Sequence, residues 1–505
     1  MLFRMIAKTL LSLEEVLAQE LEALGAKDIE IGNRMVAFTG DKSLLYEANL
    51  RLRTALRILK PIYTFKASNP DELYEALSRF AWQEVMSSDQ TFSIDTVVYS
   101  DSFTHSKYVG YRTKDAIVDY FRALEDKRPS VRLDNPDIYF NIHISHQEVT
   151  LSLDSSGESL HKRGYRAVQT EAPINEVLAA GILLMAGWRG ETDLIDPMCG
   201  SGTFLIEAAL IARGISPGIY RKGFAFERWR DYDPELFHRL YEDDSHERVF
   251  EHKIYGSDVL REAIRITERN VARAGLARNI ELEIMPLQQR PQPTQPALIV
   301  MNPPYGERLK LQDASELYSM IGERLKHNFS GCTAYIIAYK AEHFDHIGLR
   351  ASKRVKLMNG SLECELRGYE LFAGRREDFK SRPREPRSSY RPAPRDTAGY
   401  DQDKPYRGRR EEGQLRDKRG LRGHAPREGK SFGDRTRGGQ KPSERKALGE
   451  RRAQGKDKPR SDRRSPQRLW PSDRFRYTDQ EGRERRRNPK RGGFQVFRAE
   501  DEAGD

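Results

Sequence analysis

Cysteine is scarce in this chain. Its three cysteines, Cys199, Cys332 and Cys364, are too few and too far apart in the sequence for a disulfide framework or a zinc site. The sequence therefore predicts a protein of a reducing compartment, the cytoplasm, with no structural metal.

Long apolar runs are also missing. No stretch approaches the roughly 18 apolar residues that a membrane-spanning helix needs. Residues 1–13 are interrupted by Arg4 and Lys8 and lack a small-residue cleavage site, which is not typical of a signal peptide. We expect neither secretion nor a membrane partner.

Positive charge is unevenly distributed. The whole chain of 505 residues carries +10, but residues 375–505 hold 40 Lys and Arg against 23 Asp and Glu, a net charge of +17. Residues 1–374 therefore carry −7. A nucleic-acid site on this acidic part must be a local basic face.

Residues 375–505 also lack apolar periodicity. They are rich in Arg, Gly, Pro, Ser, Asp and Glu, a composition that cannot bury enough apolar surface to offset ordering entropy, so we predict a disordered tail. Its repeated Arg-Gly pairs suit salt-sensitive, sequence-indifferent RNA contact. A purely solubilising tail is the alternative.

The N-terminal third alternates short strands and helices. We predict strands at residues 2–6 and 29–38, with a helix at 10–24 that starts from a Ser12/Glu15 capping box. Residues 44–59, 71–80 and 114–124 have helical spacing, whereas residues 92–98, 138–144 and 149–153 alternate as strands. The last two strands predict a hairpin.

Basic residues cluster in this third, together with two tyrosines. They are a candidate RNA surface, with an ordinary solvated face as the alternative. The cluster comprises Lys107, Tyr108, Tyr111, Arg112, Lys114, Arg122, Lys127, Arg128 and Arg132.

A glycine turn follows at residues 196–203, Asp-Pro-Met-Cys-Gly-Ser-Gly-Thr. It lies between a predicted strand (193–195) and an amphipathic helix (204–213), the context of a nucleotide-type loop. The third glycine of a dinucleotide site and the Gly-Lys-Ser/Thr of a phosphate loop are both absent. A cofactor without a pyrophosphate, such as S-adenosylmethionine, fits the turn better.

Asp258 ends the next predicted strand, residues 254–258. An acid in this position suits ribose hydroxyl groups. A helix N-cap for the predicted helix 260–274 is the alternative, and both roles can coexist. The separation of 62 positions from Asp196 to Asp258 predicts an insertion, best placed at 221–244.

The tetrapeptide Asn302-Pro303-Pro304-Tyr305 follows the apolar run 297–301, so the sequence places it at a strand's carboxyl edge, where open α/β sheets hold ligands. The Asn302 side-chain oxygen and the Pro303 carbonyl, held rigid by Pro304, can accept both hydrogens of an exocyclic amine. Tyr305 offers a face for stacking the base. An ordinary Pro-Pro turn is the alternative.

The later pattern continues with a helix (315–325), a strand (333–338) and a hairpin around Asn359-Gly360. Strand and helix alternate from residue 193 onward. The sequence thus predicts an α/β fold, a doubly wound sheet with an antiparallel edge, behind an α+β N-terminal module.

Several motifs in order resemble the bacterial 23S rRNA guanine-N2 methyltransferases that carry an N-terminal THUMP domain. The resemblance covers residues 1 to about 374. It rests on Lys-Asp-Ala-Ile-Val-Asp (114–119), His-Lys-Arg-Gly-Tyr-Arg (161–166), the glycine turn, Tyr-Gly-Ser-Asp (255–258), Asn-Pro-Pro-Tyr-Gly-Glu-Arg-Leu (302–309) and Asn-Gly-Ser-Leu-Glu-Cys-Glu-Leu (359–366).

The resemblance implies four regions. They are a ferredoxin-like unit (1–43), a THUMP RNA-binding domain (44–156), a Rossmann-like S-adenosylmethionine-dependent methyltransferase domain (160–374) and the disordered tail (375–505). The first two would dock RNA.

Site residues follow from the same resemblance. Asp196, Pro197, Gly200 and Gly202 would line the S-adenosylmethionine pocket, Asp258 would bind its ribose, and the residues from Asn302 to Tyr305 would hold the guanine. An Asp is expected near Leu287 for the adenine amine, but none is present. Either Gln288 or a backbone carbonyl replaces it, or cofactor affinity is lower.

The expected reaction is methylation of the N2 amine of a guanine, of the 2445 type, in 23S rRNA or a large-subunit precursor. Adenine-N6 DNA methylation and glutamine methylation of a release factor use the same tetrapeptide, but the THUMP-like third argues against both. Methylation of another RNA amine is a further alternative. An rRNA-binding assembly factor with a vestigial site is the rival of a different class.

Overall fold

The computed structural model describes residues 1–166, 173–304, 311–339 and 341–372, together with three short strands between residues 476 and 496. No helix in these ranges is both long and apolar enough to span a membrane.

The N-terminal module is built on one seven-stranded sheet with strand order β2-β3-β1-β4-β7-β6-β5. Its elements are β1 (Phe3–Lys8), α1 (Glu14–Ala23), β2 (Lys27–Gly32), β3 (Met35–Gly40), α2 (Lys42–Arg51), β4 (Arg57–Lys66), α3 (Pro70–Ser78), β5 (Phe92–Tyr99), α4 (Ser106–Glu125), β6 (Ile138–Ser145) and β7 (Glu148–Asp154). The predicted N-terminal unit therefore shares a sheet with the region after it, because β4 pairs with both β1 and β7.

Three local predictions for this module are wrong. The predicted strand 29–38 is a hairpin of β2 and β3, and Arg34 turns between them with a φ of +54°. Residues 57–59 of the predicted helix 44–59 belong to β4. The capping box is absent: α1 has Leu13 as its N-cap without a side-chain cap, and Ser12 has a φ of +68°.

The predicted hairpin of β6 and β7 is confirmed, with Ser145 paired to Glu148. Alternate residues of β6 enter the core, where the Phe140 ring lies edge-on to Trp82 at 5.2 Å. Both rings are almost completely buried. Period-two burial of this kind fixes the strand register.

The second sheet has seven strands in the order β10-β9-β8-β11-β12-β14-β13. The elements are α5 (Glu176–Met185), β8 (Asp193–Asp196), α6 (Thr203–Ala212), α7 (Pro234–Glu242), β9 (Ile254–Asp258), α8 (Arg261–Arg273), β10 (Ile280–Ile284), β11 (Ala297–Met301), α9 (Leu311–Asn328), β12 (Thr333–Ala338), β13 (Lys353–Asn359) and β14 (Leu362–Glu370).

The α/β prediction is confirmed for this domain. The first five strands in that order run parallel, and β14 inserts antiparallel between β12 and β13. Residues of α5, α6 and α8 belong to one buried cluster and residues of α9 to another, so the sheet is covered on both faces. The edge strand β10 was not predicted.

Aromatic residues of the segment between β8 and β9 attach the N-terminal module to this domain. Phe226 stacks on Tyr46 of α2 at 4.4 Å between ring centroids, and Phe237 of α7 lies edge-on to Tyr46 at 5.7 Å. The predicted insertion thus packs against the N-terminal module.

A buried polar network forms the second attachment. Glu207 of α6 is fully buried and accepts hydrogen bonds from Tyr165 Oη (2.9 Å) and Arg163 Nε (3.3 Å). Arg163 also donates to the Leu160 and Arg53 carbonyls. The bridge at residues 161–166 is therefore fixed to the helix that follows the glycine turn.

Of the predicted disordered tail, the structure describes only three short antiparallel strands, Arg476–Thr478, Glu484–Arg487 and Phe494–Val496. The rest of residues 375–505 lies outside the described residues.

Glu207→Ala is expected to lower the free energy of unfolding by about 3–5 kcal/mol, because removal of one partner leaves the Arg163 charge buried and uncompensated. The measurement is urea denaturation followed by circular dichroism. Glu262→Ala is the control: Glu262 is 67% exposed and lies 3.8 Å from Arg265 on α8, so its loss changes stability by less than about 1 kcal/mol. Equal losses for the two variants would contradict the assigned role of Glu207.

Candidate active site

The candidate site lies at the carboxyl edge of the second sheet. Strands β8 and β11 are parallel neighbours, with Ile195 paired to Ile299, and β8 pairs on its other side with β9 through Asp196 and Gly256. The segments that follow these three strands therefore leave the sheet side by side. They carry the glycine turn, Asp258 and the Asn302 tetrapeptide.

Asp196 is buried at the end of β8, with 1% of its surface exposed. Its Oδ1 accepts a hydrogen bond from the Met198 amide at 3.2 Å. Burial, together with the nearby charge of Asp258, raises the pKa of Asp196 to about 8, against the opposite effects of the Met198 amide and Arg290. The carboxyl is protonated at neutral pH unless a cation arrives beside it.

The glycine turn requires its glycines. Gly200 and Gly202 have φ values of +55° and +79°, which side chains with a Cβ adopt only with strain. A Cβ on Gly202 would also lie 2.6 Å from the Thr267 side chain, whereas a Cβ on Gly200 would meet open space. Gly202 thus allows the turn to pack closely against Thr267. At Gly200 the backbone faces open space that a ligand can approach. Pro197, the second residue of the turn, is buried.

Helix α8 holds the turn in place. Thr267 Oγ1 donates to the Gly200 carbonyl at 2.8 Å, and Asn270 Nδ2 donates to the Ser201 carbonyl at 3.0 Å. Sequence reasoning missed both residues. The signal was available, because Thr267 and Asn270 are polar residues three positions apart on the apolar stripe of α8, where both are buried.

Asp258 connects the turn to the next loop. Its Oδ2 accepts from the Gly200 amide at 3.0 Å, and its Oδ1 accepts from the Leu260 amide at 2.9 Å. The N-cap of α8 is Leu260, without a side-chain cap, so the N-cap alternative for Asp258 is wrong. The carboxylate is partly exposed at the carboxyl end of β9, beside Gly200.

Asn302 follows β11 immediately. Its side chain is partly exposed, but its Oδ1 atom is buried and has no hydrogen-bond partner among the described residues. Pro303 is buried and Pro304 is exposed. Tyr305, with the other residues of the motif up to Leu309, lies outside the described residues. The Asn302 oxygen is therefore an available acceptor next to the glycine turn.

Gln288 lies in a single helical turn, Leu287–Gln289, that follows β10, and its side chain is exposed. The buried polar residue of this corner is Arg290. Its guanidinium lies 5.5 Å from the centre of the Tyr255 ring, and burial lowers its pKa. Neither residue is a carboxylate, in agreement with the departure seen in the sequence.

Arg166 is the last residue of the motif at 161–166. Its guanidinium donates to Glu176 Oε1 (2.9 Å), Thr203 Oγ1 (3.0 Å) and Ser201 Oγ (3.3 Å). The last residue of the bridge thus contacts the glycine turn directly, a contact that depends on the tertiary fold.

Some members of the candidate RNA surface are exposed, whereas others contact residues of their own module. Tyr108 and Tyr111 are exposed on the first turns of α4, at 50% and 61%. Arg112 instead pairs with Asp71 and lies over the Tyr74 ring. The basic cluster therefore contains residues already used within the module.

The chain matches three domain families. Residues 163–368 match the RMKL-like methyltransferase domain, residues 67–154 match the THUMP domain, and residues 4–59 match the RlmL ferredoxin-like domain. All three matches lie within residues 1–374.

Curated relatives agree with these matches. A Synechocystis protein named as an RNA methyltransferase is 40% identical over 363 residues, which cover 71% of this chain and 94% of that protein. The ribosomal RNA large subunit methyltransferase K/L of Syntrophotalea carbinolica is 41% identical over 372 residues, covering 71% of this chain and 52% of that protein. The chain thus spans about half the length of the latter relative.

A solved structure shares the fold. The crystal structure of the methyltransferase SMU.472 in complex with SAH is 30% identical, with a TM-score of 0.67, and the match covers 74% of this chain and 99% of that one.

Asp196→Asn is expected to change how stability depends on pH. In the unfolded chain the Asp196 carboxyl ionises near 3.8, whereas in the folded protein it ionises near 8. Between these values the folded state binds more protons, so the wild type loses stability as pH rises, by up to about 1.4 kcal/mol per pH unit relative to the variant. Urea unfolding of both proteins from pH 4.5 to 8 measures the difference; parallel curves would contradict a raised pKa.

Proposed function

This chain belongs to the RMKL-like methyltransferase family, and from that premise we propose that it methylates the exocyclic N2 amine of a guanine in 23S rRNA. The methyl donor is S-adenosylmethionine. A guanine of the 2445 type, in mature large-subunit rRNA or a precursor, is the proposed target, and the cytoplasm is the proposed compartment.

The described residues fit the cofactor. Gly200 leaves open space where a side chain would stand, and the partly exposed Asp258 lies beside it. These groups suit the methionyl chain and the ribose hydroxyls, respectively. Asp196 accepts a hydrogen bond from the Met198 amide, and Pro197 is buried, so both residues stabilise the start of the turn. The SMU.472 relative, which carries SAH, supports the same assignment.

One observation carries the choice of an amine as acceptor. The Asn302 Oδ1 atom is buried without a partner in the described structure, at the sheet edge next to the glycine turn. An unsatisfied buried acceptor costs free energy, and a substrate N–H group would satisfy it. The Pro303 carbonyl is the second proposed acceptor, and the second proline, Pro304, restricts the backbone that presents it.

Two acceptors on one amine localise its lone pair. The N2 nitrogen of guanine is a weak nucleophile because its lone pair is delocalised into the ring, and bonds from both hydrogens to Asn302 and Pro303 favour tetrahedral geometry. When bound, the cofactor supplies an electrophilic methyl on a positively charged sulfur, which leaves as a neutral thioether. The nitrogen lone pair forms the new C–N bond, and the amine then releases one proton to water. Positioning supplies most of the acceleration.

The target base must leave its stack. The N2 amine of a paired guanine lies inside the duplex, so the base is flipped or already unpaired when it reaches Asn302. Tyr305 is the proposed stacking residue. The regions assigned as 1–43 and 44–156 would dock the surrounding RNA, the domain 160–374 would carry the reaction, and the tail would add sequence-indifferent contact.

One observation favours a second candidate, an rRNA-binding assembly factor with a weak site. The turn after β10 presents the exposed Gln288 and no carboxylate for an adenine amine. If the chain is a methyltransferase, Gln288 is the proposed substitute for that carboxylate, since its side-chain amide oxygen can accept a hydrogen bond from the adenine amine.

The direct experiment uses labelled S-adenosylmethionine and 23S rRNA from a strain that lacks this protein. We expect label in N2-methylguanosine after nucleoside digestion and mass spectrometry. Label in another nucleoside would move the assignment to a different RNA amine, and binding to rRNA without label would favour the assembly factor.

Asn302→Ala is expected to lower kcat by roughly 100- to 1,000-fold, the cost of one positioned hydrogen-bonding group in an active site. Binding of S-adenosylhomocysteine should be retained, because the assigned contact is with the base. Asn279→Ala is the matched control, since Asn279 precedes β10 at the opposite edge of the sheet. Undiminished methylation by Asn302→Ala would remove the assigned role.

A further inference from the structure

We propose that Arg166 binds the carboxylate of the methionyl end of the cofactor, a role that rests on the proposed use of S-adenosylmethionine. Arg166 is the last described residue of the bridge between the N-terminal module and the methyltransferase domain. The bridge would then supply a binding group to the cofactor site as well as a covalent connection.

The Arg166 guanidinium is held in one orientation by four hydrogen bonds. Nε donates to Glu176, Nη1 to Ser201, and Nη2 to Thr203 and to the Ile174 carbonyl at 3.3 Å. Ser201 and Thr203 flank Gly202 in the glycine turn. A side chain fixed by this many partners is preorganised, so little entropy is lost when it binds a further group.

One N–H group of Arg166 remains for a ligand. A guanidinium has five N–H donors, and the four bonds leave the second hydrogen of Nη1 without a partner among the described residues. The side chain retains 14% exposure, whereas its ion-pair partner Glu176 retains 8%. The Arg166 side chain is therefore partly exposed where it contacts Ser201 and Thr203 of the turn.

The positive charge of Arg166 makes its remaining N–H group suited to an anionic part of the ligand. The methionyl end carries an ammonium group, a sulfonium and one carboxylate. Asp258 supplies a carboxylate beside the turn, whereas Arg166 is the basic side chain that donates to it in the described structure. The remaining Nη1 hydrogen can donate to one carboxylate oxygen, and a hydrogen bond between ionised partners is stronger than a neutral one.

A purely structural role makes a different prediction. If Arg166 only ties the bridge to the turn, its loss distorts the turn and weakens every ligand of the pocket alike. If it binds the carboxylate, its loss affects only ligands that carry that group. The two roles are therefore separated by a ligand pair that differs in the carboxylate alone.

The experiment measures Kd by isothermal titration calorimetry on the full chain. The ligands are S-adenosylhomocysteine and 5′-S-(3-aminopropyl)-5′-thioadenosine, the same molecule without its carboxylate. Wild type should bind S-adenosylhomocysteine roughly 10- to 100-fold more tightly, the range for one charge-assisted hydrogen bond. Arg166→Gln should lose that preference while it binds the second ligand within about twofold of wild type.

Arg166→Lys keeps the charge but not the planar donor group, so a partial preference of roughly 3- to 10-fold is expected. This variant also carries the test if Arg166→Gln fails to fold, as judged by circular dichroism. Lys162→Gln is the matched control from the same bridge. Lys162 is 58% exposed and pairs with Glu158, so neither affinity should change.

Two outcomes would overturn the assignment: equal weakening of both ligands in the Arg166 variants, or equal affinity of wild type for the two ligands. Failure of wild type to bind either ligand would instead contradict the proposed cofactor itself.

Discussion

Parallel pairing of β8 with β9 and β11 determines where this protein can act. Each of these strands ends at the same edge, and each is followed by a segment that cannot continue the sheet: a glycine turn, an acid before a helix, and a proline pair. The hydrogen-bonded register brings Asp196, Asp258 and Asn302 together although 106 residues separate the first from the last. The chemistry assigned to these groups depends on this register, because a shift by one residue would turn every side chain to the opposite face.

The surroundings of the site are made of buried polar contacts. Thr267 and Asn270 fix the backbone of the turn, and Asp258 bonds to the Gly200 amide. The network of Glu207 and Arg163 then connects the helix after the turn to the bridge. Thr267, Asn270 and Asp258 are satisfied by these contacts, whereas the Asn302 oxygen, like Oε2 of Glu207, has no hydrogen-bond partner in the described residues. Asn302 differs from Glu207 in its place, directly after β11 at the carboxyl edge of the sheet.

Local signals in the sequence were sufficient for the elements that surround the site. The strand, glycine turn and helix at residues 193–213 and the hairpin at Asn359-Gly360 were predicted because glycine and apolar spacing act over a few residues. The edge strand β10 was missed, since only its first residue is buried and its apolar pattern is weak. The hairpin at Arg34 was missed although Gly32 and Asn33, residue types that mark turns, precede it. The contacts of Arg166, Glu207 and Thr267 join residues distant in sequence, and no spacing rule reports them.

The two halves of residues 1–372 share buried surface in a way that limits how such a protein can be divided. Gly181 of α5 lies against Leu13, and Gly218 lies against the backbone of Leu50, so close that an added Cβ would meet atoms at 2.6 and 2.7 Å. Expression of the chain as two fragments divided between residues 156 and 160 would therefore expose an apolar surface on each fragment to solvent. The N-terminal module therefore cannot be exchanged independently of the domain that it contacts. A chimera with a homologous catalytic domain would need glycines at the positions of Gly181 and Gly218, where the two parts are in contact.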